Sequence, residues 1–297
     1  MQWFGLLVGV AAGLPNHSRN PPHDIRLGDV LVALPEGDSA GLVAYDLGKE
    51  TEKDGFRLLH FGHVLPPTET VVRAAIGRIQ LCAPNDTEKF LPYYKAMEEQ
   101  KHKHGTFADP GQNKDVLYEA DEHGVEKPVE RERRQSPTRT RVWYGPIGSG
   151  EKLMKNAQKR NELRDRHNLI GLEMEAAGTM SHIPVGVIRG VSDYGDGHKN
   201  KEWQPYAAAM AAAYAKAVLR EILPRKTPTV DLPSTLTPRF DGPMPGKHVL
   251  ASSRHTIPFP RNEDVVHRAA IFSELDALLP PSLEYQSAAL WGLGGSG

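Results

Sequence analysis

Residues Gly171 to Lys199 read GLEMEAAGTMSHIPVGVIRGVSDYGDGHK. Glu173 and Glu175 stand in an otherwise apolar start, and Ile183 to Val191 then runs almost without polarity before stopping at Ser192–Asp193. A short apolar run bounded by turn residues is the pattern of a strand buried on both faces, as in the interior of an α/β sheet. In open sheets of that kind ligands bind just past the carboxyl ends of the strands. The run therefore delivers Ser192 and Asp193 to a place where chemistry is done. Glu173 and Glu175 fall on nearly opposite faces if their segment is helical, and on one face if it is a strand.

Working outward, Val142 to Tyr144 reads as a second strand, followed by a glycine-bearing turn at Ser149–Gly150 and a helix from about Glu151. Trp3 to Val10 reads as a third strand, running into a glycine turn at Gly9–Gly13. In a parallel sheet these three strand ends share one edge, and glycine permits the close backbone approach that a small polar ligand needs. Asp29 to Leu34 is a further short strand. Thr68 to Cys82 has helical spacing, with Thr68 or Thr70 available as cap, and Phe90 to His102 is a second helical candidate. In the alanine-rich segment Tyr206, Met210, Tyr214, Val218 and Ile222 repeat at helical steps on one stripe. Strands alternating with helices imply an α/β domain of three layers.

The composition is that of an ordinary globular chain. Lys and Arg number 36 against 37 Asp and Glu, which argues against a general nucleic-acid binder or a polybasic membrane anchor. The single cysteine, Cys82, permits no internal disulfide and favours a reducing, cytoplasmic setting. No apolar run approaches the length of a membrane span. The apolar start MQWFGLLVGVAAGLP superficially resembles a signal peptide, but the first positive charge is Arg19, so the basic n-region is missing. His102 and His104 lie close together without any zinc-ligand spacing, so no metal is expected. Residues 103–141 are strongly charged and poor in aliphatics, the composition of a solvated, mobile insertion. Residues 224–260 are proline-rich and read as a linker. An amphipathic helix over Asn262 to Leu279 then leads to WGLGGSG.

Taken together, YGPIGSGEKLMKN, GLEMEAAG and VIRGVSDYGDGHKNKEWQPYAAAMAAAYAK resemble the nucleoside phosphorylase/nucleosidase superfamily, in the version found at the N-terminus of fungal NOD-like (NB-ARC or NACHT) receptors. The resemblance covers residues 1–223 and implies a three-layer α/β/α domain with a central mixed sheet. It implies that Met174 and Glu175 contact the ribose, the carboxylate holding its hydroxyls. Asp193, after Ser192, would face the purine N7, with Arg189 positioning that acid or an anion. Ser149–Gly150 would line the base side and Leu153 would pack on the base, while the turn at Gly9 and Gly13 would approach the nucleophile. Inorganic phosphate stands as a candidate co-substrate, no other cofactor is implied, and a homo-oligomer is left open.

The implied reaction is cleavage of the N-ribosyl bond of a purine nucleoside or nucleotide. The alternative is a catalytically inactive nucleotide-sensing module. The family carries a strand, a helix and a water-activating acid ahead of the point matched by Trp3, so the resemblance implies that the first elements are missing here. IPFPRNEDVVHRAAIFSELDALL resembles the entry to an NB-ARC NTPase, so residues 261–297 read as the start of a truncated module. Gly292 and Gly297 would be the first and last glycines of a phosphate loop whose Lys lies beyond.

Overall fold

A computed structural model of the chain describes residues 4–51, 55–58, 65, 67–102, 105–120, 125–135, 139–180, 183–222, 273 and 277. The chain splits into two compact units, and the fold below belongs to the one that contains Met1–Leu223. The expected linker, most of the Asn262–Leu279 helix, and the glycines Gly292 and Gly297 lie outside the described residues.

Seven strands form one sheet: β1 (Gly5–Gly13), β2 (Val30–Ala33), β3 (Leu42–Ala44), β4 (Val142–Gly145), β5 (Ile147–Ser149), β6 (Gly171–Glu173) and β7 (Val185–Asp193). Their spatial order is β4-β2-β7-β1-β6-β5-β3. The sheet is mixed: β1 and β7 pair in parallel, while β6 joins β1, and β2 joins β7, antiparallel. β2 pairs with β4, and the same two chain segments pair again as β3 with β5. The handover is continuous, since Leu34 N–H donates to Gly145 O and Ile147 N–H donates to Gly41 O. One pair of segments thus supplies both ends of the sheet, which curls round on itself.

The long central strand is β7, buried at every position. Its apolar character up to Ile188 follows from cover on both faces, and the polar groups it does carry, Arg189, Ser192 and Asp193, are buried with partners. On one face lies α5 (Trp203–Glu221), whose expected stripe of Tyr206, Met210, Tyr214 and Val218 is buried. Complete burial of Met210 or Val218 is worth roughly 1.5–3 kcal/mol each. Gly190 lets the helix approach, because a Cβ there would collide with the backbone oxygen of Ala207. α1 (Thr70–Gln80) and α2 (Leu91–Lys95) add Ile76, Ile79 and Tyr94 to this core. Successive residues of a strand face opposite ways. Accordingly Ala11 belongs to this core, whereas Ala12 packs with Leu14, Leu163 and Leu172 in a second one, under α3 (Ala157–His167). Helices on both faces make the expected three layers.

Several expected local details differ. Gly9 and Gly13 lie within β1 and not in a turn; both are shielded by side chains of β7 that a Cβ would strike, Arg189 at Gly9 and Val191 at Gly13. Thr68 and Thr70 do not cap α1: Glu69 occupies the cap position, and Thr68 Oγ1 donates to Val185 O across to the sheet. The helix expected from Glu151 begins at Ala157, where the Asn156 side chain accepts the Lys159 N–H. The helix expected over Phe90 to His102 is only one turn and a half, and ends in turns.

The segment 103–141, expected to be mobile, contributes buried ion pairs to the domain. Arg134 donates to both oxygens of Asp29, at 2.7 and 3.1 Å. Asp29 also accepts from the Trp143 indole and from the N–H groups of Arg26 and Arg141. Burial pushes the Asp29 carboxyl up, and the Arg134 charge opposes that shift. Arg131 pairs with Asp115 at 3.0 Å and donates to the Tyr194 hydroxyl at 3.0 Å. These guanidinium–carboxylate pairs act alongside Leu117, Phe107 and Val129, which pack on the core.

Candidate functional site

β7 ends at Asp193 and β6 at Glu173, next to the carboxyl half of β1. Between them opens a cavity of about 430 Å³ whose lining includes Ala11, Tyr45, Met174, Glu175, Ser192 and Asp193. That volume lies in the range of small-molecule sites. Glu175 and Asp193 therefore face one space. The convergence comes from a mixed arrangement, with β6 entering antiparallel beside β1, and not from parallel strand ends.

Glu175 sits in an ion triad. Arg189 Nη2 hydrogen-bonds Glu173 and lies 3.0 Å from Glu175 Oε2. The Arg189 and Glu173 side chains are almost wholly buried, at 3% and 0% exposure, whereas Glu175 is 31% exposed toward the cavity. Glu173 also accepts the N–H groups of Glu175 and Ala176, capping α4 (Ala176–Met180). Burial raises the Glu175 carboxyl above its ordinary value; the Arg189 charge opposes this and the Glu173 charge adds to it. The resemblance gave Arg189 to Asp193 or an anion. The structure gives it to the two glutamates, because four residues of strand separate it from Asp193 by about 13 Å. Glycine at position 9 leaves room for the guanidinium to cross β1.

Asp193 is 7% exposed and meets donors on both oxygens. Oδ1 accepts from Gly195 N–H at 3.0 Å, while Oδ2 accepts from Ser192 Oγ at 3.1 Å and pairs with Lys199 Nζ at 2.9 Å. Ser149 is buried, its hydroxyl accepting the Ala177 N–H. Gly150 lies behind Tyr45, since a Cβ there would come within 2.5 Å of the ring and 2.7 Å of Asp46. Tyr45 lines the cavity itself, and burial with the charges of Asp46 and Glu173 pushes its hydroxyl up to about 12. Leu153 and Met174 line the rim, both largely exposed. Gly9 and Gly13 are not among the lining residues, which on β1 are Val10, Ala11 and Ala12.

Four participants escaped the sequence reading: Tyr45, Lys152, Glu173 as a cap, and Gln204. Tyr45 and Lys152 come from loops with no periodic signal. Glu173 was visible only as half of an undecided pair. Among the described residues no cluster of metal-ligating side chains occurs. No described helix is long and apolar enough to cross a membrane.

The chain is 35% identical over 303 residues to a nucleotide-binding leucine-rich repeat (NLR)-like protein of Hyaloscypha variabilis. The fold class and the receptor resemblance expected from the sequence both hold. The match takes in 99% of this chain and spans 28% of the relative's length. Among solved structures, a 5'-methylthioadenosine/S-adenosylhomocysteine nucleosidase of Helicobacter pylori is similar at 16% identity and a TM-score of 0.43, covering 73% of this chain and 67% of that one. Futalosine hydrolase of Helicobacter pylori is similar at 16% identity and a TM-score of 0.41, with the same coverage. No protein-family model matches the chain.

Proposed function

We propose that this domain cleaves the N-ribosyl bond of purine nucleosides or nucleotides, by phosphorolysis or hydrolysis, as the effector part of a receptor-like protein. The observation that carries this reading is that Glu175 and Asp193 line one cavity of about 430 Å³. Breaking the bond moves its electron pair onto the departing base and leaves positive charge on the ribose. A proton passed from Asp193 to N7 neutralises the base, while phosphate, or water that gives up a proton to solvent, forms the new bond to the anomeric carbon. A carboxylate on the ribose hydroxyls orients the sugar and stabilises its developing charge, the role assigned to Glu175. Met174 and Leu153 supply apolar rim contacts for sugar and base. The NLR-like relative supports the receptor setting.

A second reading, a nucleotide-binding module without turnover, is favoured by one observation. Both acids are already engaged by cations, Glu175 by Arg189 and Asp193 by Lys199. Incubation with adenosine, inosine, AMP and ATP, with and without phosphate, separates the two by free base released. Release that requires phosphate identifies phosphorolysis, and release without it hydrolysis. Ligand binding with no base freed overturns the catalytic reading.

A further inference from the structure

We propose that a pocket apart from the candidate cavity, walled by Arg26, Arg131 and Arg133, is a binding site for a small oxyanion of the phosphate type. The proposal is independent of the reaction above. The pocket has a volume of about 240 Å³, and its lining also includes Gln112, Asp115 and Val116. That volume is below the roughly 300–1,000 Å³ of sites for drug-sized ligands, so the occupant is an ion and not a nucleoside. Arg26 stands in the loop ahead of β2, whereas Arg131 and Arg133 belong to the segment 103–141. An occupant would join those two stretches of chain.

The charges around the pocket do not cancel. The Arg26 side chain is 10% exposed and pairs with Asp24 at 2.8 Å, and that of Arg131, 7% exposed, pairs with Asp115 at 3.0 Å. Arg133 is exposed and has no ion-pair or hydrogen-bond partner among the described residues. Three guanidinium groups thus stand against two carboxylates, and the neighbouring Arg134 is matched by Asp29. Donors are left over as well. Arg26 bonds Asp24 through Nε and Nη2, which leaves Nη1, and every N–H of the Arg133 fork is uncommitted. Guanidinium forks match phosphate oxygens two at a time and shed water readily, so they suit an anion in a partly buried site. Water alone would satisfy the donors but leave the extra positive charge unmatched. Arg131 also donates to the Tyr194 hydroxyl at 3.0 Å, and Tyr194 follows Asp193, so the pocket adjoins the loop that carries the candidate acid.

The test titrates the full chain with inorganic phosphate by calorimetry at constant ionic strength, with sulfate and chloride as competitors. Wild type is expected to bind phosphate saturably, with sulfate competing and chloride not. Arg133→Met removes a charge-assisted fork and should weaken that binding about tenfold or more. Arg133→Lys keeps the charge without the fork and should fall between the two. Val116→Asp sets a carboxylate on the lining and should also weaken binding. Both positions are exposed, so these variants should melt like wild type in the absence of phosphate. Neither residue lines the candidate cavity, so phosphate held there is untouched by the changes. Unchanged affinity in either Arg133→Met or Val116→Asp places the anion elsewhere and overturns the proposal. So does phosphate binding that chloride displaces equally well, or no binding at all. Base release plays no part in the readout, so this site and the proposed reaction stand or fall separately.

Discussion

Removing Arg189 probes the triad that underlies the site. Arg189→Met leaves Glu173 as a carboxylate with no exposed surface and no cation, since Arg189 is the partner shared by Glu173 and Glu175. Breaking a buried pair from one side costs about 3–5 kcal/mol. That is a large share of the roughly 5–15 kcal/mol that holds a typical domain folded. Glu175, partly exposed, recovers solvent and adds little. The double variant Arg189→Met with Glu173→Gln removes both charges. Glutamine keeps an oxygen to accept the Glu175 and Ala176 N–H groups, so the α4 cap persists. The native pair is itself imperfect, because Arg189 Nε is buried without a hydrogen-bond partner. Replacing a buried pair by neutral groups is often close to neutral, so the double variant should recover about 2 kcal/mol or more of the single variant's loss. Urea unfolding followed by circular dichroism, at constant m-value, measures both. A loss below about 1 kcal/mol in the single variant, or additive losses in the double, refutes the reasoning.

Arg134→Met should destabilise by a similar amount, about 3–5 kcal/mol, since Asp29 is left charged and buried; a thermal melt within a degree of wild type contradicts the anchoring of residues 103–141. Gly150→Ala should cost about 1–3 kcal/mol by driving a methyl against Tyr45 and Asp46, and should weaken purine nucleoside binding measured by calorimetry; unchanged stability and binding refute it. Because the folded Glu175 carboxyl is raised above the ordinary 4.5, the native state holds its proton more tightly than the unfolded chain. The stabilisation is complete below that ordinary value and is lost as pH rises through the raised one. The melting temperature of wild type minus that of Glu175→Gln should therefore fall as pH rises above the ordinary carboxyl value of 4.5, and a rising difference contradicts the raised value.

The interior elements were legible because burial writes itself into the sequence. The run of β7, apolar from Val185 to Val191 but for Arg189, and the Tyr206–Met210–Tyr214–Val218 stripe of α5 both point to burial. Asp193 followed from being the residue at which that run stops. Strand direction was less visible: Val142 to Ser149 reads as one strand and turn, yet it splits at Pro146 into β4 and β5 on different partners. Nothing local encodes a change of neighbour. The resemblance ties Arg189 to Asp193 or an anion, whereas its partners, Glu173 and Glu175, are set by what lies across β1 and β6. The burial of Arg131 and Arg134 was hidden for a related reason. A charge sequestered by another charge 16 or 105 positions away looks, in one dimension, like a charge in water.

The handover of β2 and β4 into β3 and β5 has a mechanical consequence. Because the same two lengths of backbone hoop round both flanks, the sheet cannot splay to admit a visitor without tearing hydrogen bonds on each side at once. On the open side the cavity is bordered by Lys152, Leu153 and Met154 and by Lys199 and Lys201 ahead of α5.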